Sequence, residues 1–372
     1  MRILYLSISY VPSRSASSVH VMKMCAAFAR EGHAVELVTK SAPSRQEAGV
    51  EDEFAFYGVG NDFSVTKLRR PAWRGGGLVF VQAVSRLLGR RPDVDLVYSR
   101  DLVGAWLAAR RGLPVVFEAH GLPAGPFARF LVRRLLERPE LRRIVLISRA
   151  LDELWRSERL LPPAADAVIA HDASDPLPAG EQEPRPGPRP LRAGYVGHLY
   201  AGRGVELIVD TARELPEIEF HLVGGSEHDL AAWRERPTPD NVLFHGFVPP
   251  SRLPALYESF DLLLMPYQRS VGVRSGRSDT ARWMSPMKMF EYLSAGRAIV
   301  SSDLPVLREV LENEGNALLV DPEDRAAWRR AIERLAADES LRARLAARGR
   351  ESFGRHHSWA ARARKVLAGL GP

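Results

Sequence analysis

A chain of 372 residues exceeds one ordinary hydrophobic core and suits two domains of roughly 150–200 residues each. Its single cysteine, Cys25, excludes an internal disulfide and favours a reducing compartment. The N-terminal residues lack the apolar region and cleavage site of a signal peptide, and no window approaches the ~18–20 apolar residues of a membrane span.

The net charge of +7 is unevenly distributed along the chain. Residues 67–149 contain seventeen Lys or Arg against six Asp or Glu, a net +11, so the remainder is net −4. A one-sided basic field favours an anionic partner such as nucleic acid, a phosphorylated metabolite or an acidic lipid surface. The alternative is a chain that is simply rich in arginine.

Strand and helix patterns alternate in the first half of the chain. Short apolar strands separated by helices predict a parallel sheet with crossover helices. In chain order the predicted elements are strand 2–8, helix 18–32, strand 33–39, strand 95–100, helix 101–112, strand 114–120 and a strand followed by a helix over 143–157.

The pattern pauses at residues 176–190, rich in Pro and charge and therefore interpreted as a linker, and then restarts. Two parallel-sheet α/β units of this kind predict Rossmann-like domains facing a cleft, with ligands at the carboxyl ends of the strands. The second series consists of strand 191–199, helix 205–216, strands 218–225 and 241–248, helix 249–260, strand 261–267, helix 287–296, strand 297–303, a strand and helix over 317–338, and helical 340–370.

The loop after the first strand, VPSRSASSVH, is small and hydroxyl-rich and leads into a helix. It is neither a Walker loop nor GxGxxG, which argues against nucleotide hydrolysis and ordinary NAD binding. Ser15, Ser17 and Ser18 lie where exposed backbone NH groups could hold an anion. The alternative is a plain N-cap by Ser17 or Ser18.

The second unit opens with YVGHLYAGRG, residues 195–204. Gly197 lets the backbone approach a ligand, and the planar guanidinium of Arg203 suits a diphosphate. The alternative for Arg203 is a solvated surface charge.

The stretch SPMKMFEYLSAG predicts a helix that starts at an anion site. Ser285 and Pro286 stand at the helix start, where free NH groups and the dipole attract phosphate, and Lys288 adds a positive charge. Glu291 lies one turn further on nearly the same face, where a carboxylate can accept two hydroxyls of a ribose. The alternative, an exposed Lys–Glu pair, is disfavoured by the apolar residues around it.

Taken together, these segments resemble the retaining glycosyltransferases of the GT-B fold, family 4, over nearly the whole chain. The resemblance rests on the opening strand and helix, VFEAHG, GYVGHLYAGRGVELIVDTA, HLVGG, FHGFVPPSRLPALYESFDLLLMPY, MSPMKMFEYLSAGRAIVSSDLPVLREVL and SWAARARKVL. It implies an N-terminal acceptor-binding domain at 1–175, a linker at 176–190, a nucleotide-sugar-binding domain at 191–353 and a helix at 354–372 that returns to the first domain.

The resemblance also implies roles for individual residues. Arg203 and Lys288 would face the diphosphate of the donor, and Glu291 would hold its ribose. The remaining donor contacts would come from Ser285, Pro286 and Met287 through their backbone, from Gly197 and His198 in the phosphate loop, and from Phe247 and Val248 near the nucleobase.

On the N-terminal side, His120 would lie near the transferred sugar, and Glu118 is a second candidate because it points the same way along its strand. Two positions depart from the family pattern. Trp283 replaces the first of two glutamates, for which Asp279 is the candidate replacement, and His198 stands where an earlier basic residue is common.

The implied reaction is transfer of a sugar from a UDP- or GDP-linked donor, with UDP favoured, and with retention at the sugar carbon. Arg203, Lys288 and the helix start would stabilise the charge that grows on the leaving phosphate, so no metal and no cofactor are expected. The one DxD triplet, Asp93-Val94-Asp95, is interpreted as a turn before a strand rather than as a metal motif.

Two basic stretches, 67–91 and 127–143, interleave arginine with Trp, Phe and Leu. Such stretches bind anionic bilayers, so we expect a cytoplasmic enzyme that attaches peripherally to the inner face of the cell membrane and uses a glycan, lipid-linked or other anionic acceptor. The alternative is a solvated helix that packs its apolar stripe on the sheet.

Other functions remain open at this stage. The missing first glutamate favours a non-catalytic or regulatory partner with the same fold, and a sugar-nucleotide 2-epimerase shares the architecture but needs more acidic residues. Nucleic-acid binding has charge in its favour but no recognisable motif, so nucleic acid is not an expected partner.

Overall fold

The computed structural model describes residues 1–73, 75–177, 190–272 and 279–371. It divides into two compact units, Met1–Asp172 with Trp359–Pro372, and Ala173–Ser358. The predicted linker at 176–190 falls mainly on residues outside the described part of the chain.

The N-terminal unit is built on a parallel sheet with strand order β3-β2-β1-β4-β5-β6-β7. β1 is apolar and buried along most of its length, as expected for a parallel sheet covered on both faces. The strands are β1 (Arg2–Tyr10), β2 (Ala34–Ser41), β3 (Ser64–Arg69), β4 (Leu96–Ser99), β5 (Val115–Ala119), β6 (Leu141–Leu146) and β7 (Ala167–Ile169).

Helices connect these strands and cover the sheet. α3 contacts α4 and α4 contacts α5, so these three helices form one layer. The helices are α1 (Ala16–Arg30), α2 (Glu53–Tyr57), α3 (Gly76–Gly89), α4 (Leu102–Ala109), α5 (Gly125–Leu136) and α6 (Arg149–Ser157).

The two outer strands of this sheet, β3 and β7, were not predicted. No residue of either strand is buried, because both lie at the edges of the sheet and pair on one side only. An edge strand needs no continuous apolar run, so the pattern that reveals central strands is missing there.

The C-terminal unit repeats the design around a second parallel sheet, with order β10-β9-β8-β11-β12-β13. Its strands are β8 (Leu191–Val196), β9 (Ile218–Val223), β10 (Val242–Gly246), β11 (Leu262–Met265), β12 (Ala298–Ser302) and β13 (Leu318–Val320). Its helices are α7 (Val205–Glu214), α8 (Glu227–Arg234), α9 (Leu253–Glu258), α10 (Met287–Ala295), α11 (Arg325–Ala337) and α12 (Glu339–His356).

The last helix, α13 (Trp359–Leu367), packs on α1 of the N-terminal unit. Ala363 and Val366 are fully buried in this contact layer. The returning helix was predicted to start at 354, whereas the part of the chain that returns to the N-terminal unit starts at Trp359.

In both sheets the strand order reverses beside the first strand, between β1 and β4 and between β8 and β11. Loops that leave neighbouring strands in opposite directions at such a point open a crevice at the carboxyl edge of the sheet. The predicted fold class, two Rossmann-like parallel-sheet α/β domains, is confirmed. Within the described residues, no helix is both long enough and apolar enough to cross a bilayer.

Candidate active site

The loop between β8 and α7 brings backbone close to Lys288. Gly197 directly follows β8, and a Cβ atom there would overlap Lys288 Nζ. Gly204, with φ +77°, precedes α7 and lies so close to the carbonyl oxygen of Pro266 that it has no room for a side chain. Glycine at position 197 therefore leaves room for the lysine at the end of β8, and glycine at position 204 lets the start of α7 approach the backbone after β11.

Helix α10 begins without a side-chain cap. Pro286 occupies the N-cap position, its side chain makes no capping hydrogen bond, and the first turn contains no acidic residue. Such a helix start combines unpaired NH groups with the positive end of the dipole, and both favour an anion. Ser285 is buried directly before it.

Arg203 and Lys288 converge on one group of tyrosines. Lys288 Nζ lies 3.9 Å from the ring centre of Tyr195 and 5.2 Å from that of Tyr267. The Arg203 guanidinium lies 5.2 Å from the same Tyr267 ring and 5.0 Å from that of Tyr200, whose hydroxyl accepts a hydrogen bond from Arg203 Nη2 at 3.0 Å. The two cations therefore share aromatic walls.

Lys288 and Arg203 each keep a buried nitrogen atom without a hydrogen-bond partner among the described residues, namely Nζ of Lys288 and Nε of Arg203. Burial lowers the pKa of Lys288 well below its usual range, and Arg203 lowers it further, while Glu291 acts in the opposite direction. Two cations held close together out of water favour the binding of an anion beside them.

Glu291 lies one turn after Lys288 and is held by a tyrosine. The hydroxyl of Tyr257 donates a hydrogen bond to Glu291 Oε2 at 2.7 Å, and Tyr257 itself is buried behind α10. The alternative that Lys288 and Glu291 form an exposed ion pair is wrong, because Lys288 Nζ is buried and has no hydrogen-bond partner in the described residues.

The other predicted donor residues occupy loops at the carboxyl edge of the same sheet. Phe247 and Val248 follow β10 and are half-buried, and the His198 ring stacks on Tyr200 at 5.0 Å. Asp279 accepts hydrogen bonds from the backbone NH groups of Val271 and Ala281 through one oxygen, Oδ1. Its role toward the donor sugar stays a prediction.

The serines of the loop after β1 form hydrogen bonds mainly with one another and with nearby backbone. Ser15, rather than Ser17 or Ser18, is the N-cap residue of α1 and accepts the NH of Ser18. Ser18 Oγ donates to the carbonyl oxygen of Tyr10 at 2.8 Å, and Ser15 Oγ lies 3.2 Å from Ser17 Oγ and 2.7 Å from Ser18 Oγ. A serine does cap α1, as the alternative proposed, but it lies two or three residues earlier in the chain than Ser17 and Ser18.

A buried network surrounds Glu118 at the end of β5. Glu118 Oε1 accepts a short hydrogen bond from His120 Nε2 and lies 2.9 Å from His20 Nε2. Glu118 Oε2 accepts from the hydroxyl of Tyr98 and from Arg362 Nη1 at 3.0 Å. The side chain of Glu118 is 0 % exposed and that of His120 is 26 % exposed, so His120 is where this network reaches the surface.

The charge states in this network follow from its contacts. Burial alone would raise the pKa of Glu118, but Arg362, His20 and His120 outweigh it and hold that pKa well below its usual range. Burial, with a contribution from Arg100, lowers the pKa of His120 to about 4. His120 is therefore neutral at pH 7, with its proton on Nε2 and an acceptor lone pair on Nδ1.

The other members of this network were not predicted from the sequence, and three of them come from elements far apart in the chain. His20 lies in α1, Asp172 follows β7, and Arg362 lies in α13, with His20 Nδ1 3.0 Å from Asp172 Oδ1. No motif or spacing connects these positions, because their separations along the chain exceed 150 residues.

His20, His120 and Asp172 also offer donor atoms within 4.8 Å of one another, a spacing that would suit a metal ion. Each already has a partner, since His20 contacts Asp172 and Glu118 and His120 binds Glu118. Metal-independent activity stays a prediction.

Asp93 of the DxD triplet lies in a turn before β4 and pairs with Arg2 at 3.1 Å, so the interpretation as a turn is confirmed.

Comparison with known proteins covers both units. The model of Glycosyltransferase Family 4 matches residues 17–174, and a model described as glycosyl transferase-like matches residues 202–368. D-inositol 3-phosphate glycosyltransferase of Xylanimonas cellulosilytica is 25% identical over 392 aligned positions, which cover 92% of this chain and 88% of the relative.

Solved structures agree on the fold. Sucrose-phosphate synthase from Thermosynechococcus elongatus superposes with a TM-score of 0.74 at 16% identity, over 97% of this chain and 96% of that one. Anabaena Alr3699/HepE in complex with UDP and glucose gives 0.71 at 14% identity, over 100% and 99%. The chain belongs to the family 4 (group 1) glycosyltransferases and has the GT-B fold.

Proposed function

We propose that this glycosyltransferase moves a sugar from a nucleoside diphosphate sugar, linked to UDP or GDP, to a hydroxyl of a glycan, lipid-linked or other anionic acceptor, with retention at the sugar carbon and without a metal. The observation that carries the proposal is the pair of buried cations, Arg203 and Lys288, whose Nε and Nζ atoms have no hydrogen-bond partner among the described residues.

A diphosphate supplies the missing charge. Its oxygens would bind Lys288, Arg203 and the NH groups at the start of α10, all of which are fixed before the ligand arrives. As the bond between the sugar carbon and the phosphate oxygen breaks, both bonding electrons go to the oxygen, and the same donors stabilise the added charge.

Glu291 would bind the ribose of the same nucleotide. Tyr257 holds one of its carboxylate oxygens, which fixes the direction of the group at little entropic cost when the ligand binds. Vicinal hydroxyls are good partners for a carboxylate, and one helical turn of about 5 Å separates them from the phosphates, as α10 requires.

His120 would contact a hydroxyl of the transferred sugar. Its Nε2 proton is committed to Glu118, so the ring offers Nδ1 as an acceptor. A neutral ring of this kind orients a hydroxyl without competing with the cations for the phosphate. The proposed acceptor hydroxyl attacks the sugar carbon through its oxygen from the side of the leaving group, and its proton passes to the departing phosphate oxygen.

Exposed apolar residues of the N-terminal unit favour a lipid-linked acceptor and an anionic membrane surface. Leu78 of α3 and Phe127 of α5 are 70 % and 69 % exposed, and Trp73 and Phe130 are also exposed. Both helices belong to one layer and begin near the carboxyl ends of β3 and β5, the edge on which His120 lies. The alternative of a solvated helix with one buried apolar stripe accounts only for the inner face of α5, where Leu131 is buried.

Arginines accompany these apolar side chains. Arg134 lies 5.3 Å from the ring centre of Phe130, and the span 67–149 carries the excess of positive charge. Exposed aromatic residues beside arginines bind anionic headgroups and the outer acyl region together. A protein at the cytoplasmic face of a membrane would use this surface.

Incubation with several nucleotide sugars tests the donor half of the proposal. We expect slow release of UDP or GDP from one donor, unchanged by EDTA, and loss of that release in Glu291→Ala. A thermal-shift screen of UDP, GDP and ADP identifies the base, since a ligand that binds only the folded form raises the melting temperature. Full activity in Glu291→Ala would contradict the proposal, and so would inhibition by EDTA.

Co-sedimentation with liposomes tests the acceptor half. We expect binding to vesicles that contain phosphatidylglycerol, weaker binding to phosphatidylcholine alone, and loss of binding in Phe127→Ser/Phe130→Ser. The control Leu243→Ser changes an exposed apolar residue of the C-terminal unit and should bind as before. Indifference to the acidic lipid would overturn the membrane assignment.

A further inference from the structure

The guanidinium of Arg362 is a buried cation that the reaction proposed above does not use. It lies in α13, its side chain is 2 % exposed, and it reaches Glu118, which is 244 positions earlier in the chain. A buried arginine of this kind is costly unless its charge and its NH groups are satisfied.

Every part of the Arg362 fork has a partner. Nε donates to the carbonyl oxygen of His171 at 2.8 Å and Nη2 donates to that of Ala170 at 3.2 Å. Nη1 donates to Glu118 Oε2 at 3.0 Å and contacts Met24 Sδ at 3.4 Å. The carbonyl contacts fix the position of the guanidinium independently of Glu118, so the arginine is a rigid support for the carboxylate.

The opposite side of the carboxylate faces the histidines. Glu118 Oε1 accepts from His120 Nε2, and the neighbouring His20 stacks edge-on against Trp359, also from α13, with ring centres 5.0 Å apart. α13 thus contacts both neighbours of His120, namely the carboxylate of Glu118 through Arg362 and the ring of His20 through Trp359.

We propose that Arg362 is a positioning residue for His120: by ion-pairing with Glu118 it keeps this acid a carboxylate, which fixes the His120 proton on Nε2 and turns the Nδ1 lone pair toward a sugar hydroxyl. The proposal rests on the proposed function in one respect, that His120 contacts the sugar.

The charges around Glu118 support this role. Tyr98 from β4, His20 from α1, His120 beside β5, Arg100 after β4 and Arg362 from α13 face its carboxyl group, with Arg100 Nε 3.8 Å away. Two of these partners are arginines, and Arg362 is the closer, at 3.0 Å.

Loss of the Arg362 charge would let the buried carboxyl group take up a proton, since burial by itself raises its pKa. A protonated Glu118 can donate as well as accept, so His120 would no longer be restricted to one tautomer.

The test compares Arg362→Met with Arg364→Gln by ¹⁵N NMR of the histidine side chains and by the pH dependence of kcat. Arg364 lies on the same helix and pairs with Glu31 at 2.6 Å, but its side chain is 61 % exposed, so it controls for damage to α13.

In the wild type and in Arg364→Gln we expect His120 as the Nε2–H tautomer at pH 7. In Arg362→Met we expect a mixture of tautomers, a fall in kcat of about tenfold or more, and an acid limb of the profile shifted upward by about one pH unit. Arg362→Lys, which keeps the charge, should restore most of kcat. An unchanged tautomer and acid limb in Arg362→Met would overturn the proposal.

Two measurements remain decisive if Arg362→Met does not fold. An Nδ1–H or protonated His120 in the wild type at pH 7 would contradict the proposal directly. The proposal would also be contradicted if Arg362→Lys kept the wild-type tautomer of His120 but lost most of its kcat, because Arg362 would then act by another route. Failure of the proposed function can be distinguished from failure of this inference. The tautomer of His120 can be measured even if the protein transfers no sugar, whereas binding of UDP tests the C-terminal unit alone.

Discussion

Buried cations occur in both units, but the two units treat them differently. In the N-terminal unit Arg362 pairs with a buried carboxylate and two backbone carbonyl oxygens. In the C-terminal unit Lys288 and Arg203 face tyrosine rings, and in the described residues neither makes an ion pair with an acid. The first arrangement is complete without a ligand, and the second is not.

This difference distinguishes a buried charge that holds the structure in place from one that is available to bind a ligand. A satisfied buried charge stabilises its surroundings and holds a geometry, and removal of either partner leaves an uncompensated charge. An unsatisfied cation beside a glycine loop and an uncapped helix start destabilises the empty protein and is compensated when an anion binds. The unfolding free energy should therefore fall when the satisfied pair is mutated, and stay the same or rise when the unsatisfied cations are mutated.

The largest effect is expected for the unsatisfied pair. Lys288→Met should lower kcat/KM by about 10²–10³-fold, because one preorganised donor to the leaving group is lost. The unfolding free energy of the empty protein should stay the same or rise by about 1 kcal/mol, because a buried charge is removed. Steady-state kinetics and urea denaturation measure the two quantities.

Arg252→Met, which removes an exposed cation of the same unit, is the control for the Lys288 variant. A large loss of stability in Lys288→Met with normal activity would reverse the comparison between the two units.

The satisfied network should show the second-largest effect, on stability. Glu118→Ala is expected to lower the unfolding free energy by about 3–5 kcal/mol, because Arg362 is left buried without its carboxylate. Glu31→Ala removes the partner of the exposed Arg364 and should cost less than about 1 kcal/mol. Equal losses in the two variants would show that burial of the pair is unimportant.

Stability should also fall in mildly acidic solution because of His120. In the unfolded chain a histidine takes up its proton near pH 6.5, but in the folded protein the pKa of His120 is lowered to about 4. Between these values the unfolded state binds more protons, so the unfolding free energy decreases as pH falls from about 6.5 to about 4. Below that window the low pKa of Glu118 adds a further loss.

Denaturant titrations at several pH values measure this slope, and His120→Gln should make it shallower. An identical slope in the variant would mean that His120 does not titrate abnormally in the folded state.

The smallest effect is expected at Tyr257. Tyr257→Phe removes the hydrogen bond to Glu291 Oε2, so KM for the donor should rise about fivefold, equivalent to about 1 kcal/mol, with a smaller change in kcat. Tyr5→Phe is the matched control, since the buried Tyr5 hydroxyl has no hydrogen-bond partner in the described residues. A rise in KM of the same size in both variants would remove the proposed link to Glu291.

The grouping of the candidate site in the C-terminal unit could be predicted from sequence because its parts are close together along the chain. Lys288 and Glu291 share one helix, and Gly197 and Arg203 share one loop after a recognisable strand. Helical periodicity then places the two α10 side chains on one face. Edge strands β3 and β7 and the cap at Ser15 escaped prediction, because edge strands lack an apolar run and four nearby serines offer equivalent caps.

The sequence by itself determined the two parallel-sheet units and the local pairing of a basic helix start with an acid one turn further. Only the tertiary structure decided that Lys288 is buried against Tyr195 and Tyr267, and that Arg362 reaches Glu118. The reason is physical: local patterns follow from the geometry of one helix or strand, whereas a buried charge finds its partner through packing of elements far apart in the chain.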